Sequence, residues 1–259
     1  MLTKLRTAIA FYTCLPLIAR GETLDFQGIA LYAPLVGVGL GLFLGGTAIA
    51  GMGWHPQGAL WTALIVVLLN LWITGGLHLD GAMDTADGLA VSDPAKRLTV
   101  MADSHTGAFG AIALVSIFAS KLIGCSDLLS HASGNGWIVV WLLVNVYTWS
   151  RWGQLRAIHA FPYLKSEGKG KFHREGIAGW QVWLIGTGLI GANLGVALWQ
   201  QHLTTGLLVG IVPLAITLGV GIWFNWQLGG QTGDTYGAIV EWSEALTLLV
   251  LPPLTLYTL

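Results

Sequence analysis

Long apolar stretches alternate with short polar connections along almost the whole chain. The apolar stretches lie at about residues 28–50, 58–79, 107–127, 137–150, 178–199, 206–227 and 237–257. A stretch of about 20 apolar residues is long enough to cross a bilayer as a helix. The pattern therefore predicts an all-α, polytopic membrane helix bundle with about seven transmembrane helices. A shorter stretch after Lys4 and Arg6 contains Pro16 and lacks a cleavage site, which predicts an interfacial N-terminal helix.

The composition agrees with a membrane protein. Of the 259 residues, 54% are hydrophobic and 10% are charged, whereas soluble domains have about 25% charged residues. The two cysteines, Cys14 and Cys125, are far apart and suggest neither a disulfide nor a metal site. The net charge of −1 argues against a nucleic-acid partner. Since there is no linker and no repeat, we expect one domain over residues 1–259.

The basic residues predict the orientation of the chain in the membrane. With the N-terminus in the cytoplasm, eleven of the twelve lysines and arginines lie on the cytoplasmic side, and Lys121 lies within a predicted span. Cytoplasmic connections are normally enriched in these residues. We therefore expect the connections 80–106, 151–176 and 228–236 to face the cytoplasm.

Three aspartates at helical spacing are the first sign of chemistry. Asp80, Asp84 and Asp87 fall on one stripe of a helix, where like charges repel each other. A divalent cation would offset this repulsion, and carboxylates without softer ligands suit Mg²⁺, Mn²⁺ or Ca²⁺. Asp103 is either the cap of the next helix or a fourth ligand. The alternative for the stripe is a helix end whose carboxylates point into water.

A glycine-rich turn precedes the last span. It contains Gly229, Gly230, Gln231, Thr232 and Gly233. Consecutive backbone N–H groups in such turns form anion-binding sites, although tight polar turns are also common. Asp234 follows directly, and Glu241 and Glu244 lie within the span, where carboxylates are costly and tend to mark functional sites.

Three further polar features lie near these carboxylates. His78 is either a packing residue or a hydrogen-bonding partner of a phosphate or a base. Arg151 and the basic run 165–174 contribute to orientation and provide charge for a phosphate clamp. Together with metal-binding carboxylates, they predict chemistry on a diphosphate at the cytoplasmic face. The chain has no Walker A motif and no Gly-x-Ser-x-Gly motif, so neither ATP hydrolysis nor a serine hydrolase is indicated.

Four motifs in order resemble the cobalamin synthase family. They are Gly-Gly-Leu-His-Leu-Asp-Gly at 75–81, Asp-Thr-Ala-Asp-Gly at 84–88, Met-Ala-Asp-Ser at 101–104 and Gly-Gly-Gln-Thr-Gly-Asp-Thr at 229–235. The resemblance extends from the Phe11–Pro16 segment to Glu244. One position departs from the family pattern, because His105 stands where an arginine is usual. If that arginine contacts phosphate, Lys96 or Arg97 would have to supply the charge.

The resemblance implies an adenosylcobinamide-GDP ribazoletransferase of the bacterial inner membrane. In that reaction a hydroxyl of α-ribazole, or of α-ribazole 5′-phosphate, attacks the β-phosphorus of adenosylcobinamide-GDP with the help of Mg²⁺. GMP leaves, and adenosylcobalamin or its 5′-phosphate forms. The positions that match family residues are Asp80, Asp84, Asp87, Asp103, Asp234, His78, Arg151 and Gln231. We expect the first four to bind metal, and Asp234, His78 and Arg151 to be catalytic.

Two other functions are compatible with parts of this pattern. CDP-alcohol phosphotransferases perform similar chemistry with aspartates on membrane helices, but their Asp-Gly-x-x-Ala-Arg signature is not matched after Asp80. A cation-coupled transporter would also use carboxylates. Transporters tend to hold them near the middle of the bilayer and to contain repeats, neither of which the sequence indicates.

Overall fold

The computed structural model describes residues 2–17, 24–55, 58–132, 135–165 and 176–256, without the side chain of Leu256. Within these residues the elements are helices, and the only β contact is an isolated bridge between Tyr163 and Gln231. The α-helices are α1 (Leu2–Tyr12), α2 (Ala33–Trp54), α3 (Ala59–Thr74), α4 (Leu77–Ala90), α5 (Arg97–Val100), α6 (Ala108–His131), α7 (Gly136–Ala160), α8 (Gly179–Gln200), α9 (Leu203–Leu228) and α10 (Gly233–Leu256).

The helices confirm the predicted all-α, multi-pass membrane bundle. In the described part of the chain, five helical segments are long and apolar enough to cross a membrane, and a sixth is obtained when α3 and α4 are counted as one bent span. The predicted stretch 137–150 corresponds to α7, which is longer than expected because it continues to Ala160. The predicted stretches all lie largely on helices, but α7 is not among the segments that are apolar enough to cross. Counted by length and composition, the described residues therefore give five or six spans, fewer than the predicted seven.

Helix α7 lies at the centre of the bundle. It packs against α2, α8, α9 and α10, and most of its side chains are buried. Glycines allow α2 to lie directly on it: a Cβ atom at Gly37 would meet the backbone of Tyr147, and one at Gly41 the backbone of Val144. Because neighbouring helices rather than lipid surround α7, the bundle tolerates its polar residues.

The second predicted span is broken, which corrects the expectation of a continuous helix over 58–79. Helix α3 ends at Thr74, and α4 begins at Leu77 at an angle of 89° to it. The two residues between them, Gly75 and Gly76, have φ angles of 61° and 68°. Only glycine adopts this left-handed conformation easily, so the glycine pair turns the chain and gives the aspartates a helix of their own.

The polar connection after α4 contains a short surface helix. The side chain of Asp93 accepts a hydrogen bond from the Ala95 N–H (3.0 Å) and caps the 3₁₀ turn Pro94–Lys96, which leads into α5. Arg97 donates to the Gln227 carbonyl (2.8 Å) and so ties this segment to the end of α9. Arg20, Lys169, Lys171 and Arg174 lie outside the described residues.

Candidate active site

The first turns of α4 and α10 pack directly against each other. A Cβ atom at Gly81 would lie 2.6 Å from the Asp234 carbonyl oxygen, and one at Gly237 would lie 2.7 Å from the His78 carbonyl oxygen. The absence of side chains at these two positions lets the helices touch. The contact brings Asp80, in the first turn of α4, and Asp234, in the first turn of α10, into one region.

A cavity of about 280 Å³ opens beside this contact. It contains residues of α1, α4, α7 and α10 and of the segment after α7. The lining consists of Phe11, Tyr12, Leu77, His78, Asp80, Gly81, Gln154, Ile158, Tyr163, Lys165, Gly233, Asp234, Tyr236 and Gly237. The first and last sequence motifs, which are about 150 residues apart, therefore form one site.

The predicted carboxylate stripe leads away from this cavity along α4. Asp84 interacts electrostatically with the carboxylates of Asp80, Asp234 and Asp87, whereas Lys165 is the opposing positive charge. Lys165 Nζ lies 2.8 Å from Asp234 Oδ2. The tertiary structure thus adds Asp234 to the three aspartates of the stripe and leaves an excess of negative charge around Asp84.

Asp87 also has a structural role that the sequence did not predict. Its two carboxylate oxygens accept hydrogen bonds from the backbone N–H groups of Gly107 (2.7 Å) and Gly110 (2.8 Å) at the start of α6. A carboxylate there satisfies N–H groups that have no partner within the helix. Its remaining lone pairs still allow it to bind a cation.

Asp103 is not brought to the cavity. Its side chain lies at the surface and bonds to His105, with 2.6 Å between Asp103 Oδ1 and His105 Nδ1. The hydrogen bonds from the His105 ring and backbone N–H lower the pKa of Asp103. Asp103 therefore shapes the turn before α6 but does not cap that helix, because its N-cap residue is Gly107.

The glycine-rich turn is held mainly by contacts within the protein. The N–H groups of Gly229 and Gln231 donate to the carbonyls of Asn225 and Pro162, and the Thr232 N–H donates to Thr235 Oγ1. This corrects the expectation of an open row of N–H groups. Of the five predicted binding residues, Gly233 lines the cavity. A Cβ atom at Gly230 would lie 2.7 Å from the Pro162 carbonyl oxygen, so packing requires that glycine.

Arg151 lies in a buried ionic network and does not line the cavity. Its Nη1 is 2.6 Å from Glu244 Oε1. Lys121 Nζ is 2.6 Å from Glu244 Oε2 and 2.7 Å from Glu241 Oε2. Lys121, which lies within a predicted span, is thus paired with two carboxylates of α10. The predicted catalytic Arg151 therefore acts on the site only indirectly, through its ion pair with Glu244 on α10.

His78 is the predicted catalytic residue that lies deepest in the cavity wall. It is 2% exposed, its ring stacks on that of Tyr12 with 5.8 Å between centroids, and its Nε2 lies 3.4 Å from Gln154 Nε2. The sequence did not single out Tyr12 or Gln154, and it included Lys165 only as the first residue of the basic run. The available signal for Gln154 was its position three residues after Arg151 in an apolar helix, which places both on one face.

A second cavity, of about 800 Å³, lies between α4, α6, α9 and α10. It contains no charged residue, and its lining residues Phe109 and Trp223 are exposed on the outside of the bundle. Since lipid surrounds that surface, we place the chemistry in the smaller, polar cavity.

Arg97 was one of the two residues considered as a source of the positive charge that His105 does not provide. Its guanidinium group donates to the Gln227 carbonyl on α9 instead.

The donor set fits Mg²⁺ in its chemistry. The side chains of Asp80, Asp84, Asp87 and Asp234 offer only oxygen, the donor that Mg²⁺ prefers. Among the described residues, no three His, Cys, Asp or Glu side chains are close enough together to hold an ion by themselves. Mg²⁺ usually takes one or two carboxylates and completes its shell with water and substrate phosphates, so these residues fit an ion bound together with a diphosphate.

Comparison with known proteins identifies the family of the chain. The sequence profile of cobalamin-5-phosphate synthase matches residues 4–252. The chain belongs to the cobalamin-5-phosphate synthase family. An adenosylcobinamide-GDP ribazoletransferase of Trichormus variabilis is 45% identical, with 98% of both chains covered. Proteins of the same name from Synechocystis and Thiobacillus denitrificans are 41% identical (93% of this chain and 91% of theirs) and 35% identical (94% and 92%). No solved structure matches the chain.

The family match confirms the resemblance and the enzyme class that the sequence predicted. It covers all four motifs and the helices that form the cavity. The structure therefore provides a three-dimensional arrangement for the motif residues of a cobalamin-5-phosphate synthase.

Proposed function

We propose that this chain transfers α-ribazole, or its 5′-phosphate, onto adenosylcobinamide-GDP at the cavity between α4 and α10. The observation that carries the proposal is that the first and last family motifs line one cavity, through His78 and Asp80 on one side and Gly233 and Asp234 on the other. The names of the relatives specify adenosylcobinamide-GDP and ribazole, and the family description specifies the 5-phosphate product. The proposal includes both acceptors.

The reaction is a substitution at the phosphorus that carries cobinamide. A ribazole hydroxyl oxygen forms a bond to this β-phosphorus, and the bond from the β-phosphorus to the bridging oxygen breaks. GMP leaves with the electron pair, and the hydroxyl proton passes to a base. Asp234 is suited to orient the hydroxyl or accept its proton, because its carboxylate lines the cavity and is held by Lys165 (2.8 Å) and Thr232 Oγ1 (3.3 Å).

Positive charge for the diphosphate comes from two sources in this chain. Lys165 provides an ammonium group at the cavity wall, 31% exposed and therefore accessible. The first turns of α4 and α10 direct partial positive charge to the same region. We infer that Lys165 exchanges its contact with Asp234 for the diphosphate when the substrate binds.

The proposed cofactor is Mg²⁺. Asp80 and Asp84 would hold it, and Asp87 and Asp103 are the further predicted ligands. When bound, Mg²⁺ would neutralise the charge that develops on the phosphate oxygens. The support for this proposal is the oxygen-only donor set and the excess of negative charge on α4.

We further propose that the protein lies in the bacterial inner membrane with this cavity on the cytoplasmic side. The support is the distribution of basic residues: eleven of twelve fall on that side when the predicted spans are followed.

The decisive experiment is reconstitution of the purified chain in lipid nanodiscs. The protein is incubated with adenosylcobinamide-GDP, α-ribazole and Mg²⁺, and GMP and the corrinoid product are separated by chromatography. We expect equal amounts of GMP and product, and Asp234→Asn should lower kcat more than KM. Asp93→Asn, which removes a surface carboxylate that does not line the cavity, is the matched control. Absence of GMP release by the folded wild-type protein would refute the proposal.

A further inference from the structure

Three polar side chains in the inner wall of the cavity have hydrogen-bonding atoms without a partner among the described residues. They are the Tyr12 hydroxyl, His78 Nδ1 and Gln154 Oε1. These side chains are 1%, 2% and 5% exposed. Buried polar groups without partners are costly, and native proteins keep few of them. All three side chains line one cavity, although these atoms have almost no accessible surface in the ligand-free protein. The arrangement points to a ligand that supplies the missing partners when the side chains rotate toward it.

The cavity walls also favour a planar ligand. The Tyr12 ring is stacked on the His78 ring, and the rings of Tyr163 and Tyr236 lie nearly parallel, with 6.2 Å between centroids. Aromatic rings of this kind provide faces on which a flat heterocycle stacks. Lys165, the cation among the described lining residues, is bonded to Asp234. The phosphates therefore belong near Asp234, and an uncharged group belongs against the inner wall.

The size of the cavity limits the ligand further. At about 280 Å³, it lies just below the ~300–1,000 Å³ that sites for drug-sized ligands occupy. It therefore accommodates one ring system of the nucleotide substrate and not the whole molecule. The corrin part of that substrate has to remain outside.

We propose that this inner wall is the subsite for the guanine base, with Gln154, His78 and Tyr12 bonding to its edge. The inference rests on the proposed function, which supplies a guanine nucleotide as substrate. A glutamine amide pairs with guanine by accepting from N1–H at Oε1 and donating to O6 from Nε2. The guanine amino group then remains as a donor to the Tyr12 hydroxyl oxygen. His78 Nε2 accepts from Gln154 Nε2 (3.4 Å), so Nδ1 of the neutral ring carries the proton and donates to a guanine acceptor such as N3.

The other bases present in the reaction fit this wall less well. Adenine presents an amino donor where guanine has the O6 acceptor, and an N1 acceptor where guanine has N1–H. It has no second amino group, so one of the three protein groups would stay unpaired. The benzimidazole of ribazole has one acceptor nitrogen and no N–H donor, so it would leave Gln154 Oε1 without a partner. A site built to bond with a polar edge discriminates strongly against ligands that lack that edge.

The test is the binding of GMP and AMP to the full chain in lipid nanodiscs, measured by equilibrium dialysis. The wild-type protein should prefer GMP. Gln154→Leu should weaken GMP binding about tenfold or more, as expected for the loss of a buried hydrogen-bonding group. Because Gln154 has little bonding within the protein, the melting temperature of Gln154→Leu without nucleotide should be unchanged or higher. A glutamine with only a structural role would lower that temperature instead.

Two further variants keep the test informative. Gln227→Leu makes the same substitution on α9, outside this cavity, and should leave GMP binding unchanged. Tyr12→Phe removes only the unpartnered hydroxyl and should weaken GMP binding severalfold, so it serves if Gln154→Leu does not fold. Equal affinity of the wild type for GMP and AMP overturns the inference. Retention of full GMP affinity by both cavity variants overturns it as well.

The outcomes also separate this inference from the proposed function. If the wild type prefers GMP and the cavity variants lose that preference, but no corrinoid product forms in the transfer assay, the guanine subsite stands and the proposed reaction falls. If product forms while GMP and AMP bind equally, the reaction stands and the guanine subsite falls.

Discussion

Asp84 has a negative charge among three others, those of Asp80, Asp87 and Asp234. Each like-charged pair at this helical spacing destabilises a helix by about 0.2–0.5 kcal/mol. A bound cation would attract all of these carboxylates and offset their mutual repulsion, so the arrangement favours cation binding. A carboxylate with this role should matter more for turnover than for folding.

We therefore expect Asp84→Asn to reduce turnover about 100-fold or more, which corresponds to about 3 kcal/mol of transition-state stabilisation. Its melting temperature without Mg²⁺ should equal or exceed that of the wild type, because one repulsive charge is removed. Initial rates over a series of Mg²⁺ concentrations and thermal scans check both parts. Near wild-type rates at low Mg²⁺ would rule out the metal assignment.

In the proposed reaction, Lys165 exchanges its ion pair with Asp234 for a contact with the substrate diphosphate. Its contact with Asp234 is partly exposed, so the pair itself contributes little to stability. Lys165→Gln should raise the KM for adenosylcobinamide-GDP about tenfold, with a smaller change in kcat, since the ammonium group binds the diphosphate before and during the reaction. Steady-state kinetics test this, with Lys4→Gln as the control, because Lys4 is a surface cation paired with Asp25 (3.5 Å). An unchanged KM would contradict the proposed contact.

At the scale of the elements, a buried ionic network joins α6, α7 and α10. Lys121 on α6 and Arg151 on α7 bond to Glu241 and Glu244 on α10, and all four side chains are at most 2% exposed. Removal of one partner from such a network leaves an uncompensated charge in a low-dielectric interior and costs about 3–5 kcal/mol. The network thereby fixes α10, which presents Asp234 at its first turn.

Lys121→Met should accordingly lower the melting temperature and the yield of monodisperse protein in detergent. The double variant Lys121→Met/Glu241→Gln removes one charge of each sign, so it should recover most of the loss through the remaining Arg151–Glu244 pair. Thermal scans and size-exclusion profiles of the wild type and of the single and double variants give the comparison. A double variant that is no more stable than Lys121→Met would show that charge balance is not what the network provides.

At the scale of the whole molecule, the spans place the ends of α6 on opposite sides of the membrane. The cavity, the glycine-rich turn and the surface helix lie at the end where α6 begins, and Ser130 is exposed at the other end. The distribution of basic residues supports the proposal that the first of these ends faces the cytoplasm.

This orientation predicts the labelling of single cysteines in spheroplasts by an impermeant maleimide. In a Cys14→Ser background, which removes the exposed native thiol, Ser130→Cys should react in intact spheroplasts. Ser92→Cys, exposed in the connection after α4, should react only after permeabilisation. The reverse pattern would mean that the chain is inverted. Thr232 is buried and is therefore not a suitable labelling site.

Local features of the sequence were sufficient for the fold class, the helices and the aspartate stripe. Apolar length, the spacing of Asp80, Asp84 and Asp87 and the position of Asp93 before Pro94 act within one helix or turn, so they can be read along the chain. The family motifs were equally local. The break at residues 75–76 was missed because hydropathy alone does not distinguish two glycines that continue a helix from two that turn the chain.

The tertiary structure alone decided which distant residues form the site. Lys165 and Asp234 are 69 positions apart, and Lys121 and Glu241 are 120 apart. Their contacts depend on how α6, α7 and α10 pack, and no local spacing encodes that. The same packing removed Arg151 from the cavity and brought Gln154 and Tyr12 into its wall. The sequence by itself determined which chemical groups this protein has and on which helices they lie, because helix formation and membrane insertion follow local composition. Their assembly into one cavity was decided by close contacts between helices, such as Gly81 on Asp234, which only the folded chain contains.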